Sequence, residues 1–93
     1  MSTQTNDVQR ITVQVDGGYT PDTIHVKRGQ PVRIIFDRQE NGGCSEEVVF
    51  PSLGIRKLLA PYSQTAVEFV SEKTGDTTFT CGMGMLRGKL AVR

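Results

Sequence analysis

The chain has 93 residues with 37% apolar and 23% charged side chains, the make-up of one ordinary globular domain and not of a disordered tail. Eleven basic and ten acidic residues leave a formal charge of +1, with no basic cluster to steer nucleic acid, and no apolar run is long enough to span a bilayer. The opening residues 1–7 are polar, and residues 1–8 are expected to be a disordered or appended N-terminus, with the domain running over residues 9–93. Gln9 to Val15 alternates, and Ile11, Val13 and Val15 share one face. Asp16-Gly17-Gly18 turns the chain. Thr23 to Lys27 alternates again, with Ile24 and Val26 inward and His25 outward. Pro31 to Arg38 carries Val32, Ile34 and Phe36 on one face, and Ile35 on the other face points to cover on both sides. Asn41-Gly42-Gly43 marks a loop, and Glu46 to Phe50 is a short strand stopped by Pro51. Leu53 to Pro61 reads as a short strand or one helical turn. Thr65 to Phe69, Thr77 to Thr80 and Gly88 to Arg93 complete the set, with turn residues at 72–76. Short strands recurring at about ten-residue spacing read as an all-β sandwich of about seven to eight strands.

The chemistry gathers in sulfur. The chain holds two cysteines and three methionines, and two of the methionines follow a cysteine in Cys81-Gly82-Met83-Gly84-Met85. In an extended chain positions i, i+2 and i+4 face the same way, and the two glycines allow the backbone to curl so that the sulfurs converge. Thiolates and thioethers are soft donors, and the soft choice among common metals is Cu(I). Cys44, Cys81, Met83 and Met85 are therefore the candidate ligands. Zinc has little use for thioethers, and an iron–sulfur cluster usually takes four cysteines. A blue-copper centre needs two histidines, and His25 is the only one.

Other readings stay open on the residues alone. Cys44 and Cys81 can instead form a structural disulfide, with the methionines as filler. Glu46, Glu47, Arg56 and Lys57 read as solvated positions, while Leu58, Leu59, Pro61 and Leu86 are either a docking rim or core. No paired carboxylates, nucleophile–base set or phosphate loop stands out, so the expectation is a binding protein and not an enzyme.

The residues also carry a resemblance. The stretch from Tyr19 to Phe36 resembles the opening of a cupredoxin-like domain, and Val48-Val49-Phe50-Pro51 is similar to the stretch after the first histidine ligand of plastocyanin-like proteins. The strand end Phe79-Thr80-Cys81, with Gly88 and the final strand, resembles their copper-binding loop. Glu46 stands about where the first histidine would be, Cys44 appears in the same loop, and no histidine follows Cys81. That altered pattern resembles the cupredoxin-fold Cu(I) chaperones of the CupA type and the related metal-binding domain of bacterial copper-exporting P-type ATPases.

The resemblance implies a Greek-key sandwich with a bis-thiolate Cu(I) position at Cys44 and Cys81. It also implies a weaker second position at Met83 and Met85, giving one or two Cu(I) per chain. The implied partner is a copper-exporting P-type ATPase, met by a monomer in the cytoplasm or on the cytoplasmic membrane face. Any membrane anchor would lie outside this chain.

Overall fold

The computed structural model describes residues 8–93, except for the side chains of Gly43 and Cys44. The expectation for residues 1–7, and the placement of the Cys44 sulfur, lie outside the described residues.

Among the described residues, nine strands form two sheets. They are β1 (Gln9–Val15), β2 (Tyr19–Thr20), β3 (Thr23–Val26), β4 (Pro31–Arg38), β5 (Glu47–Phe50), β6 (Ile55–Leu58), β7 (Gln64–Val70), β8 (Gly75–Cys81) and β9 (Arg87–Val92). One sheet has the order β2-β1-β4-β7 and the other β3-β9-β8-β5-β6. The pairs β1/β4 and β3/β9 are parallel and the other neighbours antiparallel, so both sheets are mixed. Single 3₁₀ turns at Gly43–Glu46 and Pro51–Leu53 flank β5.

The period-2 pattern explains the layering. Along β4, Val32, Ile34 and Phe36 are buried while Arg33, Ile35 and Asp37 are only half-buried. Ile35 thus has partial cover on the outer face, supplied in a strand flanked by β1 and β7 on either edge. Val13, Val15, Val48, Leu59, Val67, Ile24, Val26, Leu90 and Val92 complete the aliphatic core. One strand, β2, exceeds the sequence expectation, while β6 meets one of the two alternatives read for its stretch. Tyr19–Thr20 is too short for any periodicity to register, and Ile55–Leu58 carries only one half-buried residue. Within the Leu53 to Pro61 stretch the strand alternative holds as β6, and the 3₁₀ turn lies just before it at Pro51–Leu53, ending where Gly54 takes φ 67°.

Five aromatic rings fill the centre. Phe79 lies 4.9 Å from Tyr19, 5.1 Å from Phe50 and 6.0 Å from Phe36 between ring centroids. Phe69 joins through Phe50 at 5.7 Å. Contacts of this kind contribute about 0.5–1.5 kcal/mol each beyond area burial. Phe79 is two residues before Cys81 on β8, so the ring cluster anchors the strand that delivers the sulfur.

Candidate metal site at one end of the sandwich

The strand registers bring the sulfur-bearing segments to one end. Val48 of β5 pairs with Cys81 of β8, and Glu47 pairs with Leu58 of β6. The turn carrying Cys44 leads directly into β5. Arg38, the last residue of β4, reaches the same end through its bonds to Gly42 and Leu59.

Cys81 is 1% exposed and closes β8. The chain then makes a tight hairpin loop and not an extended run. The Gly84 N–H donates to the Cys81 carbonyl at 2.9 Å, and the Cys81 N–H donates to the Leu86 carbonyl at 3.1 Å. Gly84 sits at φ 74°, the left-handed region that glycine enters without steric penalty. The curl turns the next amides inward. The N–H groups of Met85 and Leu86 donate to Cys81 Sγ at 3.3 and 3.4 Å. Two donors aimed at one sulfur complement negative charge on it.

Met83 and Met85 are each 73% exposed. The backbone curls at the glycines, as the two-glycine spacing implies. Its turn puts the first sulfur in the core and both thioethers in solvent. Large exposed apolar side chains at a loop tip are poor core filler. Cys81 itself is disulfide-bonded in this structure. Among the described residues no three His, Cys, Asp or Glu side chains gather to hold a metal, and His25 is exposed on β3.

The surroundings sort the remaining candidates. Leu59 is 2% exposed and belongs to the core, not to a rim, whereas Leu58 is 72% exposed. Leu59, the residue after β6, donates its N–H to the Glu46 carbonyl at 2.8 Å. Leu86 is half-buried and packs on the core, while Pro61 is exposed. Arg87 is exposed beside the loop. Glu46 and Lys57 are exposed as read from the sequence, but Glu47 is not merely solvated. Its carboxylate accepts from Arg56 at 2.6 Å and lies so close to Gly82 that a Cβ there would collide with it. Gly82 thus has a packing reason, which spacing within the C-x-M-x-M run does not reveal.

Arg38 was not among the sequence candidates. It is 2% exposed and the bulkiest fully buried side chain. The alternation Val32, Ile34, Phe36 points on to it, and that was the available signal. Glu40, two residues on, has its carboxyl held below the usual range. A hydrogen bond from the Gly17 backbone is the main cause, with the Ser45 hydroxyl and the Arg38 charge adding to it. A cleft of about 500 Å³ opens elsewhere, lined by Ser52, Leu53 and residues 70–77. It runs along β8 from Gly75 to Thr77, its near end is about 13 Å along the strand from Cys81, and no sulfur lines it.

The molecule is thus a two-sheet sandwich whose penultimate strand ends in a buried cysteine, followed by a short loop and a last strand. The chain belongs to the cupredoxin-like domain family, whose model matches residues 1–92. It is similar to a copper-binding protein solved in the apo form in solution, at 41% identity and TM-score 0.90, over 98% of this chain and 93% of that one. It is also similar to the metal-binding domain of the Cu(I)-exporting P-type ATPase CopA of Streptococcus pneumoniae D39, solved with Cu(I). There the identity is 30% and the TM-score 0.92, over 98% of this chain and 91% of that one. An oxidised amicyanin variant matches at 24% identity and TM-score 0.66, over 89% of this chain and 81% of that one, which speaks to the fold alone. Among curated protein sequences none matches the chain.

Proposed function

We propose that this domain binds Cu(I) through the thiolates of Cys44 and Cys81, with the thioethers of Met83 and Met85, and passes it on by ligand exchange. The observation that carries this reading is the hairpin after β8. It buries the Cys81 sulfur under two N–H donors and presents two thioethers at 73% exposure beside it. Soft donors in that arrangement suit Cu(I), and they hold it in the reduced state. The likeness to a copper-binding protein and to a Cu(I) pump's metal-binding domain supports the same choice of cargo.

Thiols release protons as they take the metal, so affinity rises with pH. Cu(I) then leaves by stepwise replacement, an incoming thiolate displacing one sulfur at a time. The exposed thioethers are the weaker donors and the first to exchange. The acceptor is a copper-exporting P-type ATPase, and the domain works as a monomeric carrier and not as a catalyst. Reduced thiols suit the cytoplasm or the cytoplasmic face of a membrane. The likeness to the CopA domain favours a second reading, in which this chain is itself the metal-binding domain of such a pump. The disulfide at Cys81 favours a third, an oxidised interaction module without metal. Thiol counting on protein purified without reductant separates that one, since it requires no free thiol.

The decisive test is anaerobic Cu(I) competition titration of wild type, Cys44→Ser and the double variant Met83→Ala, Met85→Ala. Tight binding is expected to collapse in Cys44→Ser and to survive in the methionine double variant with loss of a second, weaker equivalent. The reverse pattern overturns the ligand assignment, and a wild type that takes only one equivalent removes the second position.

A further inference from the structure

We infer that Arg38 is the positioning residue of this site: its buried guanidinium braces the turn that carries Cys44 against the β6 end, and so sets the distance between the two cysteines. The inference rests on the site reading above. Each nitrogen of the guanidinium is used. Nε–H donates to Ser45 Oγ at 2.9 Å, Nη2–H to the Gly42 carbonyl at 2.6 Å, and Nη1–H to the Leu59 carbonyl at 2.7 Å. Gly42 and Ser45 bracket Cys44 in the chain. Ser45 Oγ also lies 3.3 Å from the Gly42 carbonyl. The Leu59 N–H donates to the Glu46 carbonyl at 2.8 Å, so the turn and the β6 end are tied twice.

Rigid anchorage runs from this brace into both sheets. Arg38 ends β4, pairs with Val15 of β1, and donates its own N–H to the Ser63 carbonyl. The turn at 43–46 has no side-chain cap of its own at its N-terminus. The three direct partners of the guanidinium are neutral, and among the described residues no carboxylate forms an ion pair with it. A cation buried on neutral acceptors is costly, and an apolar residue of similar volume would serve the core as well or better. The fork therefore has a use other than stability. Its planar geometry fixes three points at once, which neither an aliphatic side chain nor a lysine reproduces.

The test uses the reduced, full-length chain in two measurements. The first is the Cu(I) dissociation constant by chelator competition. The second is the thiol–disulfide equilibrium with glutathione: the protein dithiol is oxidised to its disulfide as one glutathione disulfide is reduced to two glutathione thiols. That equilibrium reports the effective concentration of the two cysteines. Arg38→Met is expected to weaken Cu(I) binding by about 10- to 100-fold and to lower the effective thiol concentration by about tenfold. Arg38→Lys recovers only part of both, and Ser45→Ala, which removes one of the three anchor points, falls between.

Val67→Ala, a core truncation on β7, controls for lost stability, because a merely structural Arg38 would move both readouts no further than it does. Equal shifts in Arg38→Met and Val67→Ala overturn the inference. Should Arg38→Met not fold, a Ser45→Ala variant with wild-type values in both measurements overturns it. A wild type that fails to bind Cu(I) tightly sinks the site reading instead, and the glutathione equilibrium still reports whether Arg38 sets the thiol spacing.

Discussion

Gly84 is the point where loop backbone and sulfur placement are most directly linked. Its φ of 74° is needed for the hairpin, and a Cβ built there meets no heavy atom within 4 Å. Substitution by alanine therefore adds no steric clash and isolates the backbone term. Holding an L-residue in the left-handed region costs about 1–2 kcal/mol, and alanine returns about 0.4–1 kcal/mol by narrowing the unfolded ensemble. The net expectation for Gly84→Ala centres on about 0.8 kcal/mol of destabilisation, within about 0–1.6 kcal/mol, or roughly 3–6 °C in Tm at the centre for a domain of this size.

Asparagine tolerates the left-handed region better than alanine, so Gly84→Asn is expected to lose less despite its larger side chain. Thermal unfolding of the disulfide-intact proteins measures the first quantity. Amide exchange at Met85 and Leu86, whose N–H groups hold Cys81 Sγ, measures the loop and should accelerate in Gly84→Ala. Unchanged Tm with unchanged exchange would refute the reasoning. So would an asparagine variant less stable than the alanine one, because bulk and not backbone would then be limiting.

Three further outcomes are expected. At Gly88, a Cβ would overlap the Phe79 ring, its cross-strand partner locked among three other aromatics. Gly88→Ala should cost about 2–3 kcal/mol by urea unfolding, and much less when introduced into Phe79→Leu. Tyr19 has its hydroxyl buried without a hydrogen-bond partner among the described residues, and burial pushes its pKa from 10.0 up to about 12. Tyr19→Phe should gain about 1 kcal/mol at neutral pH. The wild type, unlike that variant, should lose stability as pH climbs from 10 towards 12, because only the unfolded chain releases the phenolic proton there. For Glu40 the sign is opposite. Its folded carboxyl titrates below the ordinary 4.5, so its contribution is complete above that value and is lost as pH falls beneath it. Glu40→Gln should flatten the acid limb of the stability profile, and an unchanged limb counts against the Gly17 and Ser45 contacts.

Much of this molecule was legible in one dimension because strands repeat every two residues. The inward sets Val13/Val15, Ile24/Val26, Val32/Ile34/Phe36 and Leu90/Val92 are buried as the alternation requires. The sulfur pattern was legible for a chemical reason, since donor softness belongs to residue types and not to their placement. Where the reading fell short, the cause lies in contacts between distant segments. Tyr19–Thr20 is a strand only because β1 is there to pair with it. Leu58 and Leu59 look alike in sequence, but only Leu59 lies under the turn at Glu46.

Composition and spacing alone therefore determined the all-β sandwich, the absence of a two-histidine ligand set, and the naming of Cys44, Cys81, Met83 and Met85 as candidates. Tertiary structure decided how the last three are presented. The chain reverses at Gly84, so the Cys81 sulfur receives two amide donors while the thioethers face solvent. It also turned Arg38 from one more charged residue into a buried three-point brace. No local pattern specifies partners drawn from residues 42, 45 and 59, because folding alone brings them together.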